Sequence, residues 1–346
     1  MTRARPVVLP ANQPPRFYRG GASIAALRGG TALEFGPEDW VASCTTLHGE
    51  PVTGLSALPG GQWLRDAVRA DPVHWLGPAP GTEPELLVKL LDAGQRLPVH
   101  CHPSDAFAQA HLGSRHGKTE AWVVIGTSGP HPTVHIGFQE EQAPDTVATW
   151  VREQDAATML GALNAVTVAP GDTVFVPAGV PHAIGTGVFI VELQQPTDLS
   201  VMLEWTGFVA SADAGHLGVG YETALGCLDR SGWAPDRLAT LVRKPEDDGA
   251  VTELFGPAEA GFFRAQRITA RSGVTLEPSY AVLVVLTGAG ELTTEDGAKL
   301  ALSKGDTVVV PHAAGEVTIG GELTAIRCQP PGGRASELAN EQLGTT

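Results

Sequence analysis

The 346-residue chain lacks any apolar run approaching the roughly 18 residues that a membrane-spanning helix requires. Its opening residues, MTRARPVVLPANQPPR, also lack the apolar core of a secretory signal. Only 18% of the residues are charged, whereas 42% are hydrophobic. This composition predicts a sizeable buried core rather than disorder, and we expect a folded cytoplasmic protein without a membrane partner.

Basic residues and clustered cysteines are also scarce. Lysine and arginine total 23 against 38 acidic residues, for a formal net charge of -15. An acidic surface argues against nucleic acid as a partner and means that an anionic substrate would need a local basic patch. The four cysteines are far apart and form no CxxC motif, which predicts neither a disulfide framework nor a structural zinc site. A reducing compartment fits this pattern.

Glycine and proline are abundant, with 42 and 27 residues. They indicate many short strands joined by tight turns instead of long helices. Alternating β-branched segments predict strands at Leu87–Leu91, Val99–His102, Ala121–Ile125, Thr133–Phe138, Val166–Val168, Thr173–Val176, Val188–Leu193, Val282–Leu286 and Thr307–Val310. Helical patterns are fewer, at Gly61–Arg69, Gln154–Leu163, Tyr221–Leu228 and Pro235–Leu241.

Two segments of the chain share a template. The first, GDTVFVPAGVPHAI, runs from Gly171 to Ile184, and the second, GDTVVVPHAAGEVTI, runs from Gly305 to Ile319. Each follows a strand-like run that ends in glycine-rich turns, so the pair predicts an internal repeat. A charged linker, RKPEDDG, separates the copies. We expect an all-β fold with a few helices, divided into domains at 1–242 and 250–346 that each form a similar barrel.

The stretch GQRLPVHCHPSD, beginning at Gly94, has extended character and contains two histidines one residue apart. Alternate residues of a strand project to the same face, so His100 and His102 point together while Cys101 packs on the other side. Pro103 cannot donate to a β-ladder and marks the strand's end. The pattern predicts a pair of imidazoles held by a rigid strand.

The spacing Gly94-x5-His100-x-His102 matches the first half of the cupin signature, and Gly171-x5-Pro177-x-Gly179-x2-His182 matches the second motif. The glutamate usual after the histidine pair is replaced by an insertion that ends in Lys118-Thr119-Glu120. Together with FYRGGASIAALRGG, VPAGVPHAIGTGVFIVELQQPTD and GHLGVGYETALGCL, these motifs resemble the type I mannose-6-phosphate isomerases of the short bacterial kind. The resemblance covers residues 16–230 clearly and implies two cupin barrels, the second degenerate.

The resemblance implies one divalent metal ion held by His100, His102, Glu120 and His182. Three imidazoles and a carboxylate favour zinc, with manganese, iron, cobalt or nickel as alternatives. The second repeat carries Ser279, Ala281 and Glu316 at the matching positions, so no metal site is expected there. The other histidines considered are not predicted to bind the metal; they are His111, His116, His131, His135 and His312.

The implied reaction is metal-dependent aldose–ketose isomerisation of a hexose or its 6-phosphate through a cis-enediol. Glu192 is the first candidate for proton transfer, and Lys118 is a second acid/base or orienting group. Trp40, which matches a tryptophan near the family's pocket, is predicted to stack on the sugar, with Thr119 and Arg115 as further substrate-binding candidates. The expected partner is this small molecule, bound by a monomer or homodimer.

Two positions depart from the family pattern. His100 replaces a glutamine ligand, and Met202 replaces an arginine ten residues after the glutamate that matches Glu192. Candidates to replace the lost positive charge are Arg19, Arg28, Arg115 and His116. A mononuclear metal cupin oxidoreductase or lyase, and a non-catalytic sugar-binding protein with two cupin domains, therefore stay open as alternatives.

Overall fold

The computed structural model describes residues 5–78, 81–246 and 249–332. Residues 247–248 of the predicted linker and 333–346 of the predicted second domain lie outside the described residues. The strands are β1 Val7–Leu9, β2 Glu38–Val41, β3 Leu87–Asp92, β4 His100–Cys101, β5 Glu120–Thr127, β6 Thr133–Phe138, β7 Leu163–Thr167, β8 Thr173–Val176, β9 His182–Ile184, β10 Val188–Gln194, β11 Val201–Met202, β12 Val242–Arg243, β13 Val251–Glu253, β14 Arg264–Ala270, β15 Val274–Leu276, β16 Ala281–Thr294, β17 Lys299–Ser303, β18 Thr307–Val310 and β19 Val317–Gln329.

The α-helices are α1 Ser23–Arg28, α2 Leu64–Ala70, α3 Pro72–Leu76, α4 Asp105–His111, α5 Pro144–Glu153, α6 Ala156–Gly161, α7 Tyr221–Ala224 and α8 Pro235–Leu238. Short 3-10 turns occur at Ala212–Gly215, Leu225–Cys227, Glu259–Gly261 and His312–Ala314. In the part of the chain that the structure describes, no helix has both the length and the apolar character needed to cross a membrane.

The strands form three antiparallel sheets. A six-stranded sheet has the order β12-β8-β5-β10-β3-β2, and a five-stranded sheet has the order β11-β4-β9-β6-β7. The third sheet has eight strands, in the order β1-β18-β16-β19-β14-β13 with β15 paired to β19 and β17 paired to β16. The prediction of a mostly β chain with a few short helices is confirmed.

Three predicted strands, Thr133–Phe138, Thr173–Val176 and Thr307–Val310, have the predicted bounds. The predicted strand Val99–His102 is shorter, because only His100 and Cys101 make ladder pairs. The predicted helix Gln154–Leu163 is wrong at both ends. Gln154 ends α5 in a left-handed conformation (φ 54°), Asp155 caps α6, and Leu163 begins β7.

The predicted helix Tyr221–Leu228 is divided into a single helical turn and a 3-10 turn. Gly226 lies inside this segment, and glycine has a high entropic cost in a helix interior. The segment therefore turns tightly instead of extending as one helix.

The two GD motifs adopt the same local structure. Gly171 and Gly305 both have positive φ, 99° and 88°, and each precedes a strand of four residues. A Cβ atom on Gly305 would lie 2.0 Å from a backbone oxygen, so this turn requires glycine. Asp172 and Asp306 each accept a hydrogen bond from the backbone N–H three residues earlier.

The largest core joins the N-terminal part of the chain to the C-terminal sheet. Leu64, Trp75 and Val88 pack in the same cluster as Phe263 and Val282. The chain's first strand, β1, also pairs with β18 of the C-terminal sheet. The sequence pattern did not indicate this pairing. The six- and eight-stranded sheets therefore share one hydrophobic core, while a second core fills the space between the six- and five-stranded sheets.

Candidate metal centre

Neighbouring strands place the predicted ligands next to one another. In the antiparallel register of the five-stranded sheet, His100 of β4 lies opposite His182 of β9. His102 follows directly after β4, where its carbonyl accepts a hydrogen bond of 2.7 Å from Gly179 N–H. Glu120 begins β5 in the facing sheet and lies opposite Val176. The two cupin motifs and the KTE segment thus meet between the sheets.

The four side chains form one buried group. The ring centroids of His100 and His182 lie 4.1 Å apart, and His102 lies 4.9 Å from each. Each histidine offers a ring nitrogen within 4.8 Å of the others. The Glu120 carboxylate reaches His102 Nε2 at 3.1 Å and His182 Nε2 at 3.3 Å. The structure therefore brings together all four residues that the motifs singled out.

Backbone carbonyls fix the orientation of the three imidazoles. The Nδ1 atoms of His100, His102 and His182 lie 2.8, 2.8 and 2.9 Å from the carbonyl oxygens of residues 98, 199 and 180. A carbonyl can only accept, so each Nδ1 must donate, which leaves Nε2 as the nitrogen that a metal could reach. This is the arrangement typical of metal-ligating histidines, in which a backbone acceptor sets the tautomer.

The converging lone pairs need a cation. Burial, followed by the Lys118 charge, lowers the pKa of His102 to about 3, so its ring is neutral. Burial and the neighbouring imidazoles also hold the pKa of His100 well below its usual range. The neutral rings of His100 and His102 thus offer lone pairs beside the Glu120 carboxylate, and within the described residues buried His182 Nε2 has no hydrogen-bond partner. These residues fit a divalent ion.

Lys118 supplies a positive charge at this position in the structure. Its ammonium lies 2.8 Å from Glu120 Oε2 and 3.1 Å from His102 Nε2. Although burial alone would raise the pKa of Glu120, the Lys118 charge and the imidazoles hold it well below its usual range. The carboxylate is therefore ionised, as a metal ligand must be.

A small cavity opens beside the ligands His100 and Glu120. Glu192 of β10 faces it, and burial raises the pKa of this carboxyl group to about 8. Lys118 Nζ lies 3.9 Å from Glu192 Oε1, while Lys89 Nζ lies 3.6 Å from Glu192 Oε2. Glu192 Oε2 accepts no hydrogen bond within the described residues. The pocket thus holds a buried carboxyl group that lies between two ammonium groups.

Sequence reasoning missed a second charged group that lines the same cavity. Glu38 of β2 accepts hydrogen bonds from Tyr18 O–H and, at 2.6 Å, from Trp40 Nε1–H, and it pairs with Lys89 at 3.2 Å and Arg16 at 3.1 Å. Arg16 also donates two hydrogen bonds, of 3.0 and 3.1 Å, to Asp198. One signal in the sequence was a lysine within the otherwise apolar run LLVKLLD, which places a charge on a buried strand.

The three predicted substrate-binding residues do not line this cavity in the described part of the chain. Trp40 is fully buried, with its indole N–H directed at Glu38, so it cannot stack on a sugar. Thr119 is buried, and its backbone N–H and C=O both bond to Gln195. The Arg115 side chain is 66% exposed and pairs with Glu85. These positions give no support to direct contacts with a substrate, which stay a prediction for all three residues.

None of the candidates for replacing the family arginine reaches the pocket. Arg28 is buried against Asp39 and donates to two backbone carbonyls, and exposed Arg19 pairs with Glu34. His116 bonds with Arg115 outside the cavity. Met202 itself lines the pocket, opposite His100 in the register of β4 and β11. An apolar side chain therefore stands where the resemblance implies a cation.

Within the described residues, the three-histidine group is the one set of candidate ligands close enough to hold a metal. Ser279, Ala281 and Glu316, the positions matched in the second repeat, form no such group, and His312 lies in a 3-10 turn next to Gly77. Cys101 packs away from the ligands in a separate apolar cluster, as its position on the strand predicted.

Comparisons with known proteins agree with this structure. The family model "Mannose-6-phosphate isomerase, cupin domain" matches residues 262–330. Mannose-6-phosphate isomerase ManA of Bacillus subtilis is 33% identical over 130 residues, 38% of this chain and 40% of that protein. A mannose-6-phosphate isomerase of Streptococcus mutans is 29% identical over 244 residues, 70% of this chain and 72% of that one. The chain thus aligns with only two fifths of the length of the first relative.

The crystal structure of the mannose 6-phosphate isomerase from Bacillus subtilis superposes with a TM-score of 0.76 at 22% identity, covering 94% of this chain and 100% of the other. The fold resembles that of mannose-6-phosphate isomerases with cupin domains, and three buried histidines lie close enough together to hold a metal ion. In sequence, too, the chain is similar to mannose-6-phosphate isomerases over much of its length.

Proposed function

We propose that this protein is a metal-dependent aldose–ketose isomerase that interconverts a hexose, or its 6-phosphate, through a cis-enediol. One observation carries the proposal. Three imidazoles and an ionised carboxylate converge beside a cavity, and the carboxyl group of Glu192 lines the same cavity. Isomerisation needs these two elements side by side, a site that polarises oxygens and a group that moves a carbon-bound proton.

We propose His100, His102, Glu120 and His182 as the ligands of one divalent ion, which we take to be zinc. Nitrogen and carboxylate donors suit this metal, and open positions on the cavity side would admit substrate oxygens. When bound, the ion supplies Lewis acidity that polarises adjacent carbonyl and hydroxyl oxygens of a sugar. The backbone carbonyls behind each imidazole keep the three rings directed at it.

Glu192 is proposed as the group that carries the proton between C1 and C2. Its carboxyl group is buried between the ammonium groups of Lys89 and Lys118, which hold it in place and face its charge when the proton leaves. Lys118 is proposed to orient substrate oxygens, since its ammonium lies between Glu120 and Glu192 at the cavity wall. The burial of Glu192 limits the access of water to this proton transfer.

The related proteins named above are mannose-6-phosphate isomerases, which makes mannose 6-phosphate and fructose 6-phosphate the first substrates to test. The side-chain cations lining the described cavity, Arg16, Lys89 and Lys118, are each already paired with a carboxylate. Free mannose and fructose therefore belong in the same experiment.

The test is solvent exchange during turnover. Metal-replete protein incubated in deuterium oxide with each of the four sugars should convert aldose to ketose and place deuterium at C1 or C2, observed by proton NMR. Failure to convert or exchange any of them would contradict the isomerase proposal, and metal-dependent oxygen consumption in its place would move the assignment to an oxidoreductase.

A further inference from the structure

A pair of cysteine sulfurs lies directly behind the ligand strand. Cys101, between His100 and His102, has its Sγ atom 3.7 Å from Sγ of Cys227, although 126 residues separate them in sequence. Both side chains are free thiols in the structure. In the described part of the chain, neither Cys44 nor Cys328 has a sulfur neighbour at this distance. The sequence spacing gave no sign of such a pair.

The surroundings of the two thiols differ. Cys101 is fully buried in the apolar cluster beneath the five-stranded sheet, whereas Cys227 is half-buried at the end of the 225–227 turn. A small oxidant therefore meets Cys227 first, and Cys101 is the neighbour positioned to react with the product.

The backbone around the pair allows the sulfurs to meet. A disulfide needs an S–S distance of about 2.05 Å, so the atoms must approach by roughly 1.6 Å from 3.7 Å. Strand β4 is fixed on both edges, by β9 and β11, whereas Cys227 ends a 3-10 turn of three residues. The turn can supply the movement without displacing the strand that carries His100.

We propose that Cys101 and Cys227 form a reversible disulfide when the protein meets hydrogen peroxide. The Cys227 sulfur attacks one peroxide oxygen, breaking the O–O bond to give a sulfenic acid and one water. The Cys101 sulfur then attacks the sulfenic sulfur, forming the S–S bond and releasing the oxygen as a second water. Two thiols lose two electrons in total, peroxide gains them, and a dithiol reductant reverses the reaction.

The bond would join the strand that carries His100 to a turn that contacts the segment before His182. Gly179, three residues before His182, donates its N–H to His102 O, and its own carbonyl accepts from Asp229 N–H, two residues after Cys227. A link between Cys101 and Cys227 would therefore tie the turn next to Gly179 to the strand of His100. The modification would act on the support of the site without contacting a substrate.

The test is peptide mapping of the full-length protein after treatment with hydrogen peroxide, without reduction. The wild type should lose two of its four thiols, lose about 2 Da in mass, and yield one cross-linked peptide pair containing Cys101 and Cys227. Dithiothreitol should restore all four thiols. The Cys44→Ser variant, a matched control with a half-buried thiol removed elsewhere, should give the same cross-link.

Cys227→Ser and Cys101→Ala should each abolish the cross-linked pair. Because the two variants are made separately, a folding defect in one leaves the other to test the proposal. The proposal is overturned if folded wild-type protein keeps four thiols, or if Cys227 proceeds to sulfinic acid without joining Cys101. A cross-link of the same yield that involves Cys44 or Cys328 would overturn it as well.

Discussion

The proton transfer proposed for the pocket depends on a single carboxyl group, that of Glu192. Replacing it with glutamine keeps the shape and the contacts of the side chain but removes the group that takes a proton. We expect Glu192→Gln to retain its metal and lose about 10²–10⁴-fold in kcat. Elemental analysis and steady-state kinetics on the same preparation check both parts.

Glu259→Gln is the matched control, because Glu259 is also a buried carboxylate in an ion pair, here with Arg243, but lies in the C-terminal part of the chain. This variant should keep wild-type kcat. Full activity in Glu192→Gln would remove Glu192 from the mechanism.

Met202 places an uncharged side chain in the pocket at the position where the resemblance implies an arginine. Since the cations lining the described cavity are already paired, Met202→Arg should improve use of a phosphorylated sugar relative to a free one. We expect roughly a tenfold rise in the ratio of kcat/KM for mannose 6-phosphate over that for mannose, the size of one charge-assisted contact.

Met202→Leu, which conserves volume, should leave that ratio unchanged. An unchanged ratio in Met202→Arg as well would mean that a phosphate group is held elsewhere or that the substrate carries none.

Strand β2 carries a buried acidic residue, Glu38, whose charge contributes to the stability of the fold. Glu38 is buried, yet the charges of Arg16 and Lys89 and two hydrogen bonds hold its pKa well below the usual range. A carboxyl group with a lowered folded pKa contributes stability that is present above its unfolded pKa of about 4.3 and is lost as pH falls towards the folded value.

We therefore expect the free energy of unfolding of the wild type to fall steadily below about pH 4.3. Glu38→Gln should cost about 3–5 kcal/mol at pH 7, because it leaves buried cations short of a partner, and should show a shallower acid dependence. Urea titrations across the pH range measure both. If the unfolding free energy of Glu38→Gln depended on pH as steeply as that of the wild type, the assignment would be contradicted. The control Glu153→Gln, at an exposed carboxylate, should behave as the wild type.

The histidine pair and the GD turns were predictable at the level of elements because they obey local rules. His100 and His102 follow strand alternation, and the GD turns require positive φ at glycine. Lys89, Glu38 and Arg16 were not predicted, because their meeting depends on β2 and β3 pairing across a long separation in sequence. Trp40 was assigned to the pocket and shares the face of β2 that carries Glu38, but Lys89 lies over its ring and it is fully buried.

The whole molecule is held together by a core that crosses the predicted division at 1–242 and 250–346. That division stays a prediction, but β1 pairs with β18, and Arg28 donates hydrogen bonds to carbonyls of both Leu9 and Gly305. The C-terminal sheet thus buries residues from the start of the chain. In our proposal this part of the chain binds no metal and contributes to the packing of the N-terminal part.

Such a shared core predicts one cooperative unfolding transition. Calorimetry of the wild type should give a single peak, and Val282→Ala, in the C-terminal part of that core, should lower the midpoint of the entire peak. Two resolved peaks, with only one displaced by Val282→Ala, would show that the two parts unfold independently.

The metal content of the purified protein tests the central proposal most directly. Elemental analysis after exposure to divalent metal should find one ion per chain in the wild type and less than about a tenth as much in folded His182→Ala. The control variant His131→Ala, at an exposed histidine, should bind as much metal as the wild type. A wild type that binds no ion, or a His182→Ala variant that keeps a full complement, would contradict the account.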